Sequence, residues 1–172
     1  MICSILLATE YGAASAQTAA PHKRALPAHV HGGAKLDIAI DGKAATIELE
    51  TPADGIVGFE HAALSAADQK QQAAALDTLK NRIAEMVVFD RSAACTFTPH
   101  KVAVEKDSDG DHSDVKAEFG VICGKPPAGT TLRFGFSKIF PRIVDVEIQL
   151  LNGSQQTGAK IHNDGGTIAL SR

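Results

Sequence analysis

Two alternating segments on either side of Asp41-Gly42 constrain the fold more than any other feature. Residues 35–40 and 43–50 alternate apolar and polar side chains, which is the period of a β-strand with one buried face. Asp-Gly favours a two-residue type I′ turn. With 41 and 42 as the turn, Leu36 lies opposite Ile47 and the apolar side chains fall on one face. The sequence therefore predicts a β-hairpin with one apolar and one polar face.

The polar face of this hairpin carries a candidate metal half-site. In the same register Gly33 lies opposite Glu50, and His29 and His31 continue the polar side beyond the strand. Two histidines one residue apart on a strand point to the same side, about 6.6 Å apart at ~3.3 Å per residue. Neutral imidazole binds Zn²⁺ and similar divalent ions. We therefore predict a zinc half-site at His29 and His31, with Glu50 beside it.

A second hairpin is predicted over residues 95–106 and 115–123, where Cys95 and Cys123 stand at the open end. Cys3 lies in the N-terminal segment that is interpreted below as a secretory signal, so Cys95 and Cys123 remain as an even pair. Such a pair in an exported domain is typical of a disulfide. A loop of about 28 residues closed in this way stabilises the fold by ~3.5 kcal/mol in the chain-entropy model. We therefore predict a structural disulfide between Cys95 and Cys123.

A third hairpin is predicted near the end of the chain. Residues 144–151 and 155–161 flank Asn152-Gly153, which is again a type I′ signal. The corresponding register pairs Val146 with Ala159 and places the apolar side chains on one face.

One long helix and a shorter one complete the predicted elements. Ser65, with Asp68 at the capping-box position, begins a helix that extends to about Ala84. Residues 138–143 form a turn or short helix that Pro141 interrupts. Four apolar positions at helical spacing are predicted to be core: Leu76, Leu79, Ile83 and Met86. The elements predict an α+β fold, a single domain in which an antiparallel sheet of β-hairpins is packed on one face by one main helix and a short second helix.

The N-terminal residues have the features of a weak secretory signal. A short apolar stretch is followed by Ala14-Ser15-Ala16, a small-residue cleavage site, although no Lys or Arg precedes the stretch. We predict a signal peptide, complete or truncated, over residues 1–16, an extended lead-in over 17–28 and a zinc-binding domain over 29–172. The alternative is the loose N-terminus of a cytosolic protein.

Composition and motifs argue against several classes of function. The net charge is −3 and shows no basic stripe, so nucleic acid is not expected as a partner. No apolar run approaches the ~20 residues of a membrane span. The chain lacks H-E-x-x-H, G-x-S-x-G, P-loop and Rossmann motifs. We therefore predict that it is not an enzyme.

Three segments together resemble the ZrgA family of exported bacterial zinc uptake proteins. They are HVHGGAKLDIAIDG at 29–42, ELETPAD at 48–54 and VGFEHA at 57–62. The resemblance implies a periplasmic accessory protein that captures Zn²⁺ and hands it to a carrier or an ABC importer. Residue by residue, the implied zinc ligands are four: His29, His31, Glu60 and His61.

Several residues are candidates to complete this site. A zinc ion takes about four ligands in a tetrahedron. The loop over residues 53–61 returns from the second strand, so Glu60 or His61 can supply a third ligand. Glu50 or Asp54 is a candidate carboxylate. Neighbouring residues on a strand point to opposite sides, so Glu60 and His61 can both bind only if they lie in a turn. The alternative is that the two N-terminal histidines are solvated and bind nothing.

The loop between the cysteine strands carries weaker candidates: Asp109, Asp111 and His112. The family has a long run of His and Asp there, whereas this chain has one histidine among four aspartates, which departs from the family pattern. Asp107, Asp109, Asp111 and Glu118 match positions 1, 3, 5 and 12 of a calcium EF-hand loop, but His112 occupies the position of the required glycine. Calcium binding, adventitious zinc binding and a plain solvated loop stay open.

The predicted function is that of a zinc-binding protein that assists high-affinity zinc uptake in the periplasm. One alternative is a periplasmic protein that stores or buffers divalent metals, which would bind several ions weakly through the acidic loop. A less favoured alternative is a zinc-dependent hydrolase in which Glu60 serves as the base.

Overall fold

The computed structural model describes residues 31–106 and 112–172. The predicted signal peptide, the lead-in and His29 lie outside the described residues, as do Asp109 and Asp111. The described part of the chain contains nine strands, two helices and one 3₁₀ turn (Arg91–Ala93). The strands are β1 (Gly33–Asp41), β2 (Ala44–Pro52), β3 (Val87–Phe89), β4 (Cys95–Lys106), β5 (Ser113–Cys123), β6 (Thr131–Phe134), β7 (Asp145–Asn152), β8 (Gln155–His162) and β9 (Thr167–Ala169), and the helices are α1 (Ala53–Ile56) and α2 (Ala66–Met86).

The strands form a large sheet and a small one. The six-stranded sheet has the order β4-β5-β2-β1-β7-β8, and the three-stranded sheet has the order β3-β6-β9. All three predicted hairpins lie in the large sheet, and the α+β fold is confirmed. Neighbouring strands are antiparallel except for β1 and β7, which run parallel. This parallel pair joins the third hairpin to the first and was not predicted.

The register of the first hairpin differs from the predicted one by two residues. Leu36 pairs with Leu49 rather than Ile47, and the turn residues are Gly42 and Lys43. Gly42 has a positive φ of 58° while Lys43 does not, which is the sign pattern of a type II′ turn with glycine first. Because a two-residue shift preserves the alternation, the apolar and polar faces are those that the sequence predicts.

The third hairpin shows the same correction. Val146 pairs with Ile161 instead of Ala159, and Gly153 takes the first turn position with a φ of 58°. The second hairpin is confirmed, since Cys95 pairs with Cys123 and the two form a disulfide across a sequence separation of 28.

The core lies between the apolar face of the large sheet and a layer made of α2 and the small sheet. Ser65 caps α2 by accepting a hydrogen bond from the Asp68 amide (3.0 Å), as the capping pattern predicts. The four helical core positions are all buried: Leu76, Leu79, Ile83 and Met86. No helix in the described ranges is long and apolar enough to span a membrane.

The segment predicted as a turn or a short helix is a turn region, and the short second helix lies elsewhere. Residues 138–143 form turns, in which Ile143 donates to the Phe140 carbonyl and Pro141 has no amide to extend a helix. The short helix is instead α1, directly after Pro52, where the sequence suggested a loop. Its single turn is closed by a hydrogen bond from the Val57 amide to the Ala53 carbonyl (2.7 Å).

Candidate metal site

Several chain segments meet at one edge of the six-stranded sheet, by which we mean the end where some of its strands begin and others finish. β1 begins there, β2 ends there, and α1 follows β2 directly. β5 and β7 begin at the same edge, because Pro52 pairs with Asp114 and Gly33 pairs with Asp145. Gly32 is fixed at this edge, since its carbonyl accepts hydrogen bonds from the Val144 and Asp145 amides (2.9 and 3.0 Å). The fold therefore brings His31 close to the segment that follows β2.

Three side chains converge at this edge. His31, Asp54 and Glu60 each offer one ligand atom, and these atoms all lie within 4.8 Å of one another. His31 Nδ1 is 3.3 Å from Glu60 Oε1. In a tetrahedral zinc site with bonds of about 2.0–2.1 Å, two ligand atoms are about 3.3–3.4 Å apart. The separation of these two atoms already has the value that two ligands of one zinc ion require.

Glu60 is the centre of the cluster. Its side chain is only 12% exposed, and Oε2 accepts a hydrogen bond from His112 Nδ1. Oε1 is buried and has no hydrogen-bond partner among the described residues. Leaving a buried acceptor unsatisfied costs about 1–3 kcal/mol, and more for a charged group. A cation beside Oε1 would remove this cost, so the donor set and its unsatisfied atom fit a metal ion.

Asp54 is paired with an arginine that no motif of the sequence singles out. Asp54 Oδ2 accepts a hydrogen bond from Arg142 Nη1 at 3.0 Å. The two residues are 88 positions apart, and Arg142 lies in the turn region before β7. No local motif connects them, so only the folded chain shows the pair.

His61 lies outside the group of three. Its ring is stacked on Phe59, with centroids 4.5 Å apart, and its Nδ1 is 3.1 Å from the Ala62 carbonyl oxygen. Because a carbonyl only accepts, this contact places the proton on Nδ1 and leaves the lone pair of the neutral ring on Nε2. Glu60 and His61 are not in a strand, which is the condition for both to face one site.

Glu50 also lies outside the group. It pairs with Lys35 of β1 and Lys116 of β5 on the polar face of the sheet. The predicted register had set Glu50 opposite Gly33, beside the histidines. The two-residue shift moves Glu50 away from that end of the hairpin.

Of the acidic loop, the described ranges include His112, which contacts Glu60 as stated, and Ser113 and Asp114, which are buried at the start of β5. Glu118, the last position of the EF-hand pattern, lies within β5, where its Oε1 is 3.4 Å from His100 Nδ1. Both flanks of the loop are strands rather than the helices of an EF-hand. These features do not support the calcium interpretation.

Comparison with known proteins agrees with the geometry. Residues 28–170 match the family model described as ZrgA family zinc uptake protein. This segment contains the three residues of the cluster and their hydrogen-bond partners His112 and Arg142. No curated protein matches the chain.

Proposed function

The chain belongs to the ZrgA family of zinc uptake proteins, and on this premise we propose that it captures Zn²⁺ reversibly at His31, Asp54 and Glu60. The observation that carries the proposal is the buried Oε1 of Glu60, which accepts no hydrogen bond from the described residues and lies 3.3 Å from His31 Nδ1. Zinc is the cargo of this site. We further propose that capture takes place in the periplasm and that the ion passes to a carrier or an ABC importer.

The proposed ligands are one imidazole nitrogen and two carboxylate oxygens, with a fourth ligand from a second histidine. His112 is already hydrogen-bonded to Glu60. His29 stands two residues before His31, and His61 follows Glu60. A set of nitrogen and oxygen donors is typical of zinc sites, which take His, Asp and Glu as well as Cys.

Reversibility follows from the chemistry and exposure of the ligands. The His31 side chain is 67% exposed, so water and an accepting protein can reach the ion. The donor set lacks thiolates, and each imidazole must be neutral to bind. Protons therefore compete with zinc, and we expect binding to be lost below about pH 6.

Isothermal titration calorimetry tests the site. The parent chain should bind Zn²⁺ stoichiometrically, and the double variant His29→Ala/His31→Ala should lose this binding. His100→Ala is the matched control, because His100 is an exposed histidine of β4 that contacts the Glu118 carboxylate of β5, several residues away from this edge of the sheet. If the double variant binds zinc as tightly as the parent, the assignment of the site is wrong.

A second set of variants separates capture from storage. Replacing Asp107, Asp109 and Asp111 with Asn leaves the proposed ligands intact. A capture protein keeps its single tight site in this variant, whereas a storage protein that uses the acidic loop loses most of its capacity. Transfer to a zinc carrier that is faster than spontaneous release to a chelator supports handover, and equal rates contradict it.

A further inference from the structure

We propose that Arg142 is a built-in competitor of Zn²⁺ for Asp54. In the metal-free protein the guanidinium is hydrogen-bonded to Asp54 Oδ2, and its positive charge lowers the affinity of the site for zinc. This inference rests on the proposed function and adds to it the residue that sets how readily the ion leaves.

The backbone fixes Arg142 beside the proposed ligand His31. Gly32 directly follows His31, and a Cβ atom built on Gly32 would lie 3.2 Å from the Arg142 carbonyl oxygen. The Val144 amide donates to the Gly32 carbonyl at 2.9 Å. The chain segments that carry His31 and Arg142 are therefore in direct contact.

Packing also fixes Arg142 beside Asp54. Gly55 follows Asp54 in α1, and a Cβ atom built on Gly55 would lie 3.3 Å from Ile143 Cγ1. Ile143 follows Arg142 and is 1% exposed, so it anchors the turn in the core. The contact between Gly55 and Ile143 places the two preceding residues, Asp54 and Arg142, next to each other. The ion pair is thus a consequence of close backbone packing.

The charges at the site give the direction of the effect. Asp54 and Glu60 supply two negative charges, and the guanidinium neutralises one of them at 3.0 Å from Asp54 Oδ2. Arginine is effectively always protonated, so the competition persists at every physiological pH. A Zn²⁺ ion bound to Asp54 must displace the guanidinium or tolerate a like charge nearby, and both lower the affinity. If Arg142 instead served only to orient Asp54, its removal would weaken binding.

Three variants distinguish the two roles. Arg142→Gln removes the charge and keeps a side chain that can donate a hydrogen bond to Asp54, and Arg142→Lys keeps the charge. Arg91→Gln is the matched control, because Arg91 is exposed near the disulfide, at the opposite end of the sheet. Thermal melting without zinc verifies that each variant is folded.

Calorimetry should show that Arg142→Gln binds Zn²⁺ about two- to fivefold more tightly than the parent, since Arg142 is 60% exposed and exposed ion pairs are weak. Arg142→Lys and Arg91→Gln should keep the affinity of the parent. Equal or weaker binding by Arg142→Gln overturns the inference and leaves the proposed function intact. Absence of zinc binding by the parent overturns both.

Discussion

Glu60→Gln is the substitution that most directly tests the proposed site. Gln matches Glu in size, so packing around this 12% exposed side chain is preserved. The change removes the negative charge and one carboxylate oxygen that lies 3.3 Å from His31 Nδ1. We expect zinc affinity to fall by about 100-fold, the upper end of what losing even a supporting group costs a metal site.

The thermal shift caused by zinc gives this loss a measurable size. A ligand at 100 times its Kd stabilises the folded state by about 2.7 kcal/mol. For a domain of this size that raises Tm by roughly 8 °C, at about 3 °C per kcal/mol. At the same zinc concentration the 100-fold weaker variant gains only about 0.4 kcal/mol, or roughly 1 °C.

Differential scanning calorimetry with and without zinc measures both shifts. Glu147→Gln is the matched control, because Glu147 is an exposed glutamate on the polar face of β7. Its zinc shift should equal that of the parent. A Glu60→Gln shift as large as that of the parent would refute the reasoning, since it would show that the buried carboxylate takes no part in binding the ion.

Three further predictions concern the scaffold. Replacing Cys95 and Cys123 with Ser should lower the free energy of unfolding by about 3.5 kcal/mol in urea titrations, given the separation of 28 residues. Zinc affinity should stay unchanged, because the disulfide closes the end of the sheet opposite to the metal site. Leu79→Ala should cost about 2–5 kcal/mol in the same titration, since Leu79 is fully buried; a cost below 1 kcal/mol would contradict the assigned core. The hydrogen bond from His162 is the largest cause that lowers the pKa of Asp145, so His162→Ala should raise that pKa toward its ordinary value in an NMR titration, and an unchanged titration would contradict this. A carboxyl group whose pKa is lower in the folded than in the unfolded protein stabilises the fold at pH values above about 4, the ordinary pKa. This stabilisation is lost as the pH falls through the pKa of the folded protein. His162→Ala should therefore lose less stability than the parent on acidification below about pH 4.

The hairpin registers show where sequence patterns stop being informative. Alternation identifies the strands and their buried faces around Asp41-Gly42, because side chains on a strand have a period of two. It does not locate the turn to the residue, since moving the turn by one position shifts the pairing by two and leaves the faces unchanged. The conformation of Gly42, first in a type II′ turn, decides the register.

The metal site likewise contains some residues that sequence motifs identify and others that only the structure identifies. The motifs single out His31 and Glu60, and the structure brings these two side chains together. Glu50 illustrates the limit of sequence patterns, because its distance from the end of the hairpin that carries the histidines depends on the register. Arg142 illustrates it more strongly, since its partner Asp54 is 88 residues away and neither has a local pattern that points to the other.

The sequence by itself determined the hairpins, the capped helix, the disulfide and the histidine and glutamate motifs, because each depends on periodicity or on residues close together in the chain. Only the tertiary structure decided the parallel pairing of β1 with β7, which brings the turn before β7 to the start of β1. That pairing places Arg142 against Gly32 and Asp54. The physical reason is that contacts between distant segments are set by how buried faces pack together, which no local pattern records.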